Sequence, residues 1–253
     1  MILHVNNQQY IDTNKGIDIS IPLTNDENNP LAWYVDKPIF EAVKAQGYVG
    51  SVALGGSVNF RNIFFNPHGH GTHTECLGHI TPEIHSVNQG LKNAFFTAEL
   101  ITITPEKVWN EKENCWDEII TQEQIKASIK SKQVQAIVLR TNPNTIDKKS
   151  KNYSATNPAY LDVSCVEILN EKEVEHFLID LPSVDRENDE GKLVFHHAFW
   201  QVPNNPQFHK TITEFIYVDE TIKDGVYLLN LQTAPFENDA TPSRPVLFEI
   251  FEK

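Results

Sequence analysis

Cysteine, methionine and basic residues are all scarce in this chain of 253 residues. It holds three cysteines and one methionine. Cys76, Cys115 and Cys165 are odd in number and form no C-x-x-C pair, which argues against a disulfide framework and fits a reducing compartment. Lys and Arg total 21 against 34 Asp and Glu, a formal net charge of −13. Nucleic-acid affinity comes chiefly from Lys and Arg on phosphates, so the balance argues against nucleic acid and equally against an anionic membrane surface. No apolar run approaches the roughly 20 residues of a membrane helix. The opening Met-Ile-Leu-His-Val lacks the basic stretch and apolar run of a secretory signal. A cytoplasmic location is the expectation.

What is present suffices for a sizeable core, since 40% of residues are hydrophobic. No repeat or long linker divides the chain, so residues 1–253 are read as one domain. Strand-like segments dominate. Ile17–Leu23, Val52–Phe65, Ala94–Thr104, Ala136–Thr141, Phe177–Leu181, Phe215–Val218, Val226–Thr233 and Val246–Phe251 are rich in β-branched or aromatic residues. The Val52–Phe65 stretch, broken by Gly55-Gly56, reads as a hairpin or bulged strand. Helices are expected at Lys37–Ala45, at Asp162–Glu171 and at Leu193–Gln201. A fourth follows the capping-box signature Thr121-Gln122-Glu123-Gln124 and runs to about Lys132. Strands with a minority of helices make an α/β or mixed α+β fold with a mixed sheet.

The informative stretch is Asn66-Pro67-His68-Gly69-His70-Gly71-Thr72-His73-Thr74-Glu75-Cys76-Leu77-Gly78-His79, which concentrates four of the ten histidines. Neutral imidazole and carboxylate are the usual ligands of Zn²⁺ and similar ions. Residues two apart in an extended segment share a face, so His73 and Glu75 can reach one ion together. A site with few protein ligands keeps an open position, as catalytic metals need. Two other readings of the same residues stand beside this one: a histidine-rich surface turn without metal, and nucleophilic chemistry at Cys76. A buried, inert thiol accounts for Cys76 better than a nucleophile.

Gly71-Thr72-His73-Thr74-Glu75 followed by His79 resembles the His-x-Gly-Thr-His-x-Asp-x-Pro-x-His signature of the cyclase family of metal-dependent hydrolases, which includes bacterial kynurenine formamidase and isatin hydrolase. Further markers follow in family order. Asp18-Ile19-Ser20, Val138-Leu139-Arg140-Thr141, Asp180-Leu181-Pro182-Ser183-Val184-Asp185 and Ser243-Arg244-Pro245 span nearly the whole chain. The resemblance implies a single swivelling β/β/α domain. It implies His73 and Glu75 as metal ligands, with Glu75 in place of the usual Asp and Leu77 in place of the Pro. The first ligand position falls on Gly69; an inserted glycine restores the spacing for His68, and His70 is the alternative. His79 takes the position of the family's acid–base histidine. His196 and Glu214 resemble the later His and Glu through which some members bind a second ion.

The implied activity is hydrolysis of a C–N amide bond, in a formamide or cyclic amide, by water activated on Zn²⁺ or Mn²⁺, with one or two ions per chain. The resemblance also implies a homodimer or homotetramer. A non-catalytic metal- or small-molecule-binding protein, and a lyase or ring-closing cyclase on the same site, are the alternatives, because a fold does not settle a function. Trp33, Trp109, Trp116 and Trp200 are expected in cores or interfaces. His4, His85, His176 and His209 are expected to be solvated or structural.

Overall fold

The computed structural model describes residues 1–253. Seven strands close into a barrel: β1 (His73–Glu75), β2 (Phe95–Ile103), β3 (Ala136–Thr141), β4 (His176–Ile179), β5 (Thr211–Glu214), β6 (Gly225–Thr233) and β7 (Ala240–Glu249). Their order around the barrel is β6-β2-β3-β4-β5-β1-β7, and β7 returns to pair with β6. Neighbours from β2 through β5 run parallel, and the remaining pairings are antiparallel. Three helices pack outside: α1 (Gln122–Ser128), α2 (Cys165–Glu171) and α3 (Val194–Trp200). The fold is mixed α+β and strand-rich, in agreement with the sequence reading.

The period-two alternation of strands explains the two large cores. Ala98, Leu100, Ala136, Val138, Leu178 and Leu229 fill the barrel interior. The alternate residues Ile101, Ile137, Leu139, Phe177, Ile179 and Ile212 lie on the outer wall beneath the helices. Both faces of the parallel strands are therefore covered, which is why β3 and β4 read as continuous apolar runs. Phe195, Phe199 and Trp200 of α3 are fully buried in the outer core, so this helix is pinned against the wall near β5.

Several elements differ from the sequence reading. Residues 37–45 are extended, not helical: Ile39–Ala42 pairs antiparallel with Arg61–Phe64. Asp36 before Pro38 and the spacing of Ile39, Ala42 and Val43 would suit a helix, but the ladder with Arg61–Phe64 satisfies the backbone instead. Val52–Leu54 is a 3-10 turn that ends at Gly55, whose φ is 88°. The strand from Ile17 stops after Asp18, where the Asp18 carboxylate accepts the Ser20 N–H at 3.0 Å and the Thr72 hydroxyl accepts the Ile21 N–H at 2.7 Å. The strand expected at Phe215–Val218 lies four residues earlier as β5 (Thr211–Glu214), and Phe215, at φ 56°, turns the chain away. The capping box of α1 is present, yet the helix ends at Ser128. The buried Glu99 carboxylate accepts the Lys130 and Ser131 N–H groups at 2.7 and 3.0 Å and draws the chain out of helical register.

Candidate metal centre

The centre is built on the outer face of two neighbouring strands. In the β1–β5 register His73 faces Glu214 and Glu75 faces Ile212, so these side chains share one face. Thr74 and Thr213 point the other way and bond to each other at 2.8 Å. Helix α3 lies over this face and lowers His196 onto it. The loop before β1 brings His68 in from the side.

The donors converge on Glu75. Its Oε1 is 3.0 Å from His196 Nε2. Its Oε2 lies 3.1 Å from His68 Nδ1 and 4.0 Å from His79 Nε2. His73 Nε2 is 3.4 Å from Glu214 Oε2. Donor atoms of His73, Glu75 and Glu214 all lie within 4.8 Å of one another, and so do those of His68, Glu75 and His79. Glu75 belongs to both groups, which is the position of a carboxylate able to bridge two ions.

The imidazoles are oriented by their second nitrogens. His73 Nδ1 donates to the Gly71 carbonyl at 3.0 Å, which leaves the Nε2 lone pair facing the centre. His196 Nδ1 donates to Asp185 at 2.6 Å, and Asp185 is itself held by the Phe195 and His196 N–H groups at the start of α3. This carboxylate–histidine pair sets the ring's orientation and raises the basicity of its other nitrogen. Glu214 Oε1 accepts from the Val184 N–H at 3.1 Å, which leaves Oε2 for His73.

Whether a cation fits is answered by two atoms. His73 Nε2 and Glu75 Oε2 are buried without an aligned hydrogen bond, their nearest polar neighbours being Glu214 Oε2 at 3.4 Å and His68 Nδ1 at 3.1 Å. Buried polar atoms are rarely left unpaired, because desolvation costs about 1–3 kcal/mol each. Two orphaned lone pairs within one cluster of imidazoles and carboxylates fit a divalent ion.

The electrostatics without metal point the same way. Burial acts to lower the His68 pKa, but Asp239 and Glu75 overcome it and raise it to about 10. His196 is likewise raised to about 10 against burial, by Asp185 and Glu75. Glu75 is held well below the usual carboxylate range although burial opposes it, through His79, His196 and His68. Burial and the neighbouring Glu75 charge push Glu214 up. Protons thus occupy the place a cation would take, and they must leave when a metal binds. Metal affinity should therefore rise steeply with pH, about 10- to 100-fold per unit between pH 6.5 and 8.5 if one or two protons are released. Chelator competition at three pH values checks this, and a flat profile would show that His68 and His196 are already neutral.

The remaining sequence candidates fall into place. His79 sits at the more open side, its side chain 30% exposed and its Nδ1 3.5 Å from Asp239. Its ring stacks on His68 with centroids 4.2 Å apart. His70, the alternative first ligand, is elsewhere: its Nδ1 accepts from the Asn66 N–H at 2.8 Å and its Nε2 donates to the Asp36 carbonyl at 2.7 Å. Gly69 ends a 3-10 turn at Pro67–Gly69, where a Cβ would come within 2.6 Å of Val35 Cγ2. That turn is the extra residue that carries His68 into the cluster. Trp33 steadies it by donating to the His68 carbonyl at 3.2 Å. Trp200 is buried behind His196, with ring centroids 5.3 Å apart, whereas Trp109 and Trp116 form an exposed edge-to-face pair. Cys76 is buried, and burial pushes its thiol up to about 11, which suits an inert side chain.

Two participants were not singled out from the sequence. Asp185 lies within a quoted marker segment without a role. Asp239 lies at the entry to β7 and meets His68 Nε2 at 2.8 Å; His68 and His79 hold its carboxyl far below the usual range against burial. An Asn-Asp pair before a strand reads as ordinary loop, and no spacing rule links it to histidines some 160–170 residues earlier.

No helix is long and apolar enough to cross a membrane. No curated protein matches the chain. Solved structures of the same fold are similar over almost its whole length. A predicted metal-dependent hydrolase from Bacillus stearothermophilus aligns with a TM-score of 0.63 at 14% identity, covering 92% of this chain and 98% of that one. Isatin hydrolase A from Labrenzia aggregata, bound to benzyl benzoate, gives 0.64 at 15% identity over 92% and 93%. An isatin hydrolase bound to the product analogue thioisatinate gives 0.61 at 13% identity over 94% and 93%. The model of the Cyclase family, described as "Putative cyclase", matches residues 17–186, and with about two thirds of its sequence inside that match the chain belongs to the Cyclase family.

Proposed function

We propose that this protein is a metal-dependent hydrolase of C–N amide bonds, acting on a formamide or a cyclic amide in the manner of arylformamidase. The observation that carries the reading is the pair of orphaned buried donors, His73 Nε2 and Glu75 Oε2, within a cluster of four histidines and two glutamates. His68, His73, Glu75, His196 and Glu214 are the residues that would hold one or two ions. Mixed imidazole and carboxylate donors suit Zn²⁺ and Mn²⁺. Such an ion, when bound, supplies an activated water and Lewis-acid polarisation of a carbonyl oxygen.

The chain's own groups supply the rest. Asp185 and the Gly71 carbonyl fix His196 and His73 through their Nδ1 atoms. His79 is the titratable group on the open side within 4.0 Å of Glu75, placed to hand a proton to a departing nitrogen. Asp239 holds His79 by its Nδ1. The likeness to isatin hydrolases supports a cyclic amide as one substrate class. Protein purified without a nickel column should carry about one or two equivalents of Zn or Mn by elemental analysis, and His73→Ala should lose them. The loaded parent should then cleave an N-formyl arylamine or a lactam ring. Metal bound with no turnover on either class would favour a binding protein. Absence of metal after dialysis against both ions would remove the hydrolase reading.

A further inference from the structure

His68 and His79 are strung side by side between the same two carboxylate oxygens. Their ring centroids are 4.2 Å apart and their planes differ by 29°. Each ring turns one nitrogen to Glu75 Oε2, His68 Nδ1 at 3.1 Å and His79 Nε2 at 4.0 Å. Each turns its other nitrogen to Asp239 Oδ2, His68 Nε2 at 2.8 Å and His79 Nδ1 at 3.5 Å. The two rings therefore face the centre through opposite nitrogens, and Asp239 stands behind both.

The backbone seats Asp239 at this spot. Its neighbour Ala240 pairs with Glu75 in the β7–β1 register, and its carbonyl accepts the Cys76 N–H at 3.0 Å. The 3-10 turn Leu77–Ile80 carries His79 past it. A Cβ on Gly78 would lie 3.2 Å from the Asp239 Cβ and 2.3 Å from the His85 carbonyl oxygen, so this close passage requires glycine. A neutral imidazole carries one hydrogen, and the partner of each nitrogen decides which one holds it. A carboxylate accepts and does not donate. With Glu75 committed to an ion, Asp239 is the acceptor left for both rings.

We infer that Asp239 is a positioning residue that sets the tautomer of two histidines through one oxygen, so that His68 addresses the centre by Nδ1 and His79 by a bare Nε2. This rests on the metal-dependent reading of the centre. His68 then ligates through the nitrogen opposite to the one His73 and His196 use, since those rings are anchored by Nδ1. His79 keeps the lone pair that proton transfer needs on the side of the reaction. The carboxylate also ties the ligand ring to the proton-carrying ring, so turning either one loosens the anchor of the other.

Long-range proton–nitrogen-15 spectra of the zinc-loaded protein, labelled at histidine and held near pH 8.5, read the rings directly, and elemental analysis of the same sample reads the zinc. The parent is expected to carry hydrogen on Nε2 of His68 and on Nδ1 of His79. In Asp239→Asn the neutral amide accepts weakly and its NH₂ group can donate instead, so the His79 ring should lose that single tautomer while far-ultraviolet circular dichroism stays parental. Zinc affinity should fall about 10- to 100-fold. With zinc saturating, kcat on an N-formyl arylamine should still be down about 10²- to 10⁴-fold, the scale on which an orienting carboxylate acts through tautomer, with KM within about twofold of the parent. Hydrogen on Nε2 of His79 in the parent, rings unchanged in Asp239→Asn, or a rate that zinc restores in full overturns the inference. A parent that holds no zinc sinks the hydrolase reading instead, and the His79 ring of that metal-free protein, compared with Asp239→Asn, still decides the role of Asp239.

Discussion

Glu75→Gln is expected to strip the protein of metal. Glu75 is the carboxylate common to both donor groups, and an amide offers one neutral oxygen in place of a charged pair. Losing a partner that merely orients a ligand costs 10–100-fold in affinity, so losing this one should cost more than about 100-fold. Elemental analysis after dialysis, with His68→Ala as a single-ligand comparison, reads the effect directly. Retention of two equivalents in Glu75→Gln would show that the ions sit elsewhere.

The same variant has a pH signature in the metal-free protein. The raised pKa values of His68 and His196, both about 10, stabilise the fold fully below the unfolded value near 6.5. That contribution fades as pH rises toward 10. The lowered pKa of Glu75 contributes above about 4.5 and is lost as pH falls. The stability gap between parent and Glu75→Gln should therefore be widest near pH 5–6.5 and narrow on both sides. Breaking a buried charge pair costs about 3–5 kcal/mol, which sets the scale of the gap. Urea melts of both apo proteins across pH 4–10 check it, and a constant gap would contradict the charge coupling around Glu75.

His79→Asn is expected to separate chemistry from metal binding. His79 stands at the open edge of the cluster, 4.0 Å from Glu75 and 3.5 Å from Asp239. Asparagine preserves a polar group of similar reach but cannot carry a proton. Turnover on an N-formyl arylamine should fall about 10²- to 10⁴-fold with metal content and melting temperature near those of the parent. A variant that keeps parental rates would remove His79 from proton transfer. A variant that loses an equivalent of metal would make it a ligand, consistent with its place in the group of His68, Glu75 and His79.

Much of this was legible in the chain. Histidine density at 68–79, the two-residue spacing of His73 and Glu75, and the capping box at Thr121 are local patterns, and local patterns follow from backbone period and hydrogen-bond chemistry. Apolar runs at Ala136–Thr141 and Phe177–Leu181 announced strands covered on both faces. Local signals failed where context decided. Residues 37–45 contain acceptable helix formers, yet they pair with residues 61–64 across a loop of unpatterned sequence. The choice between His68 and His70 was open in sequence because both flank Gly69. In the fold the 3-10 turn at Pro67–Gly69 directs the His68 ring to Glu75 and the His70 ring to Asp36.

The sequence by itself therefore determined the residue types of the centre, the strand that carries its core, and the net negative charge of the chain. Only the tertiary structure decided who meets whom. Glu214 reaches His73 through the antiparallel register of β5 on β1. His196 reaches Glu75 because three apolar side chains pin α3 to the outer wall. Asp185 and Asp239 join as partners of His196 and His68. Each of these contacts joins residues far apart along the chain or turns on one ring's rotation. Packing and strand register set them, and no spacing within the sequence encodes either.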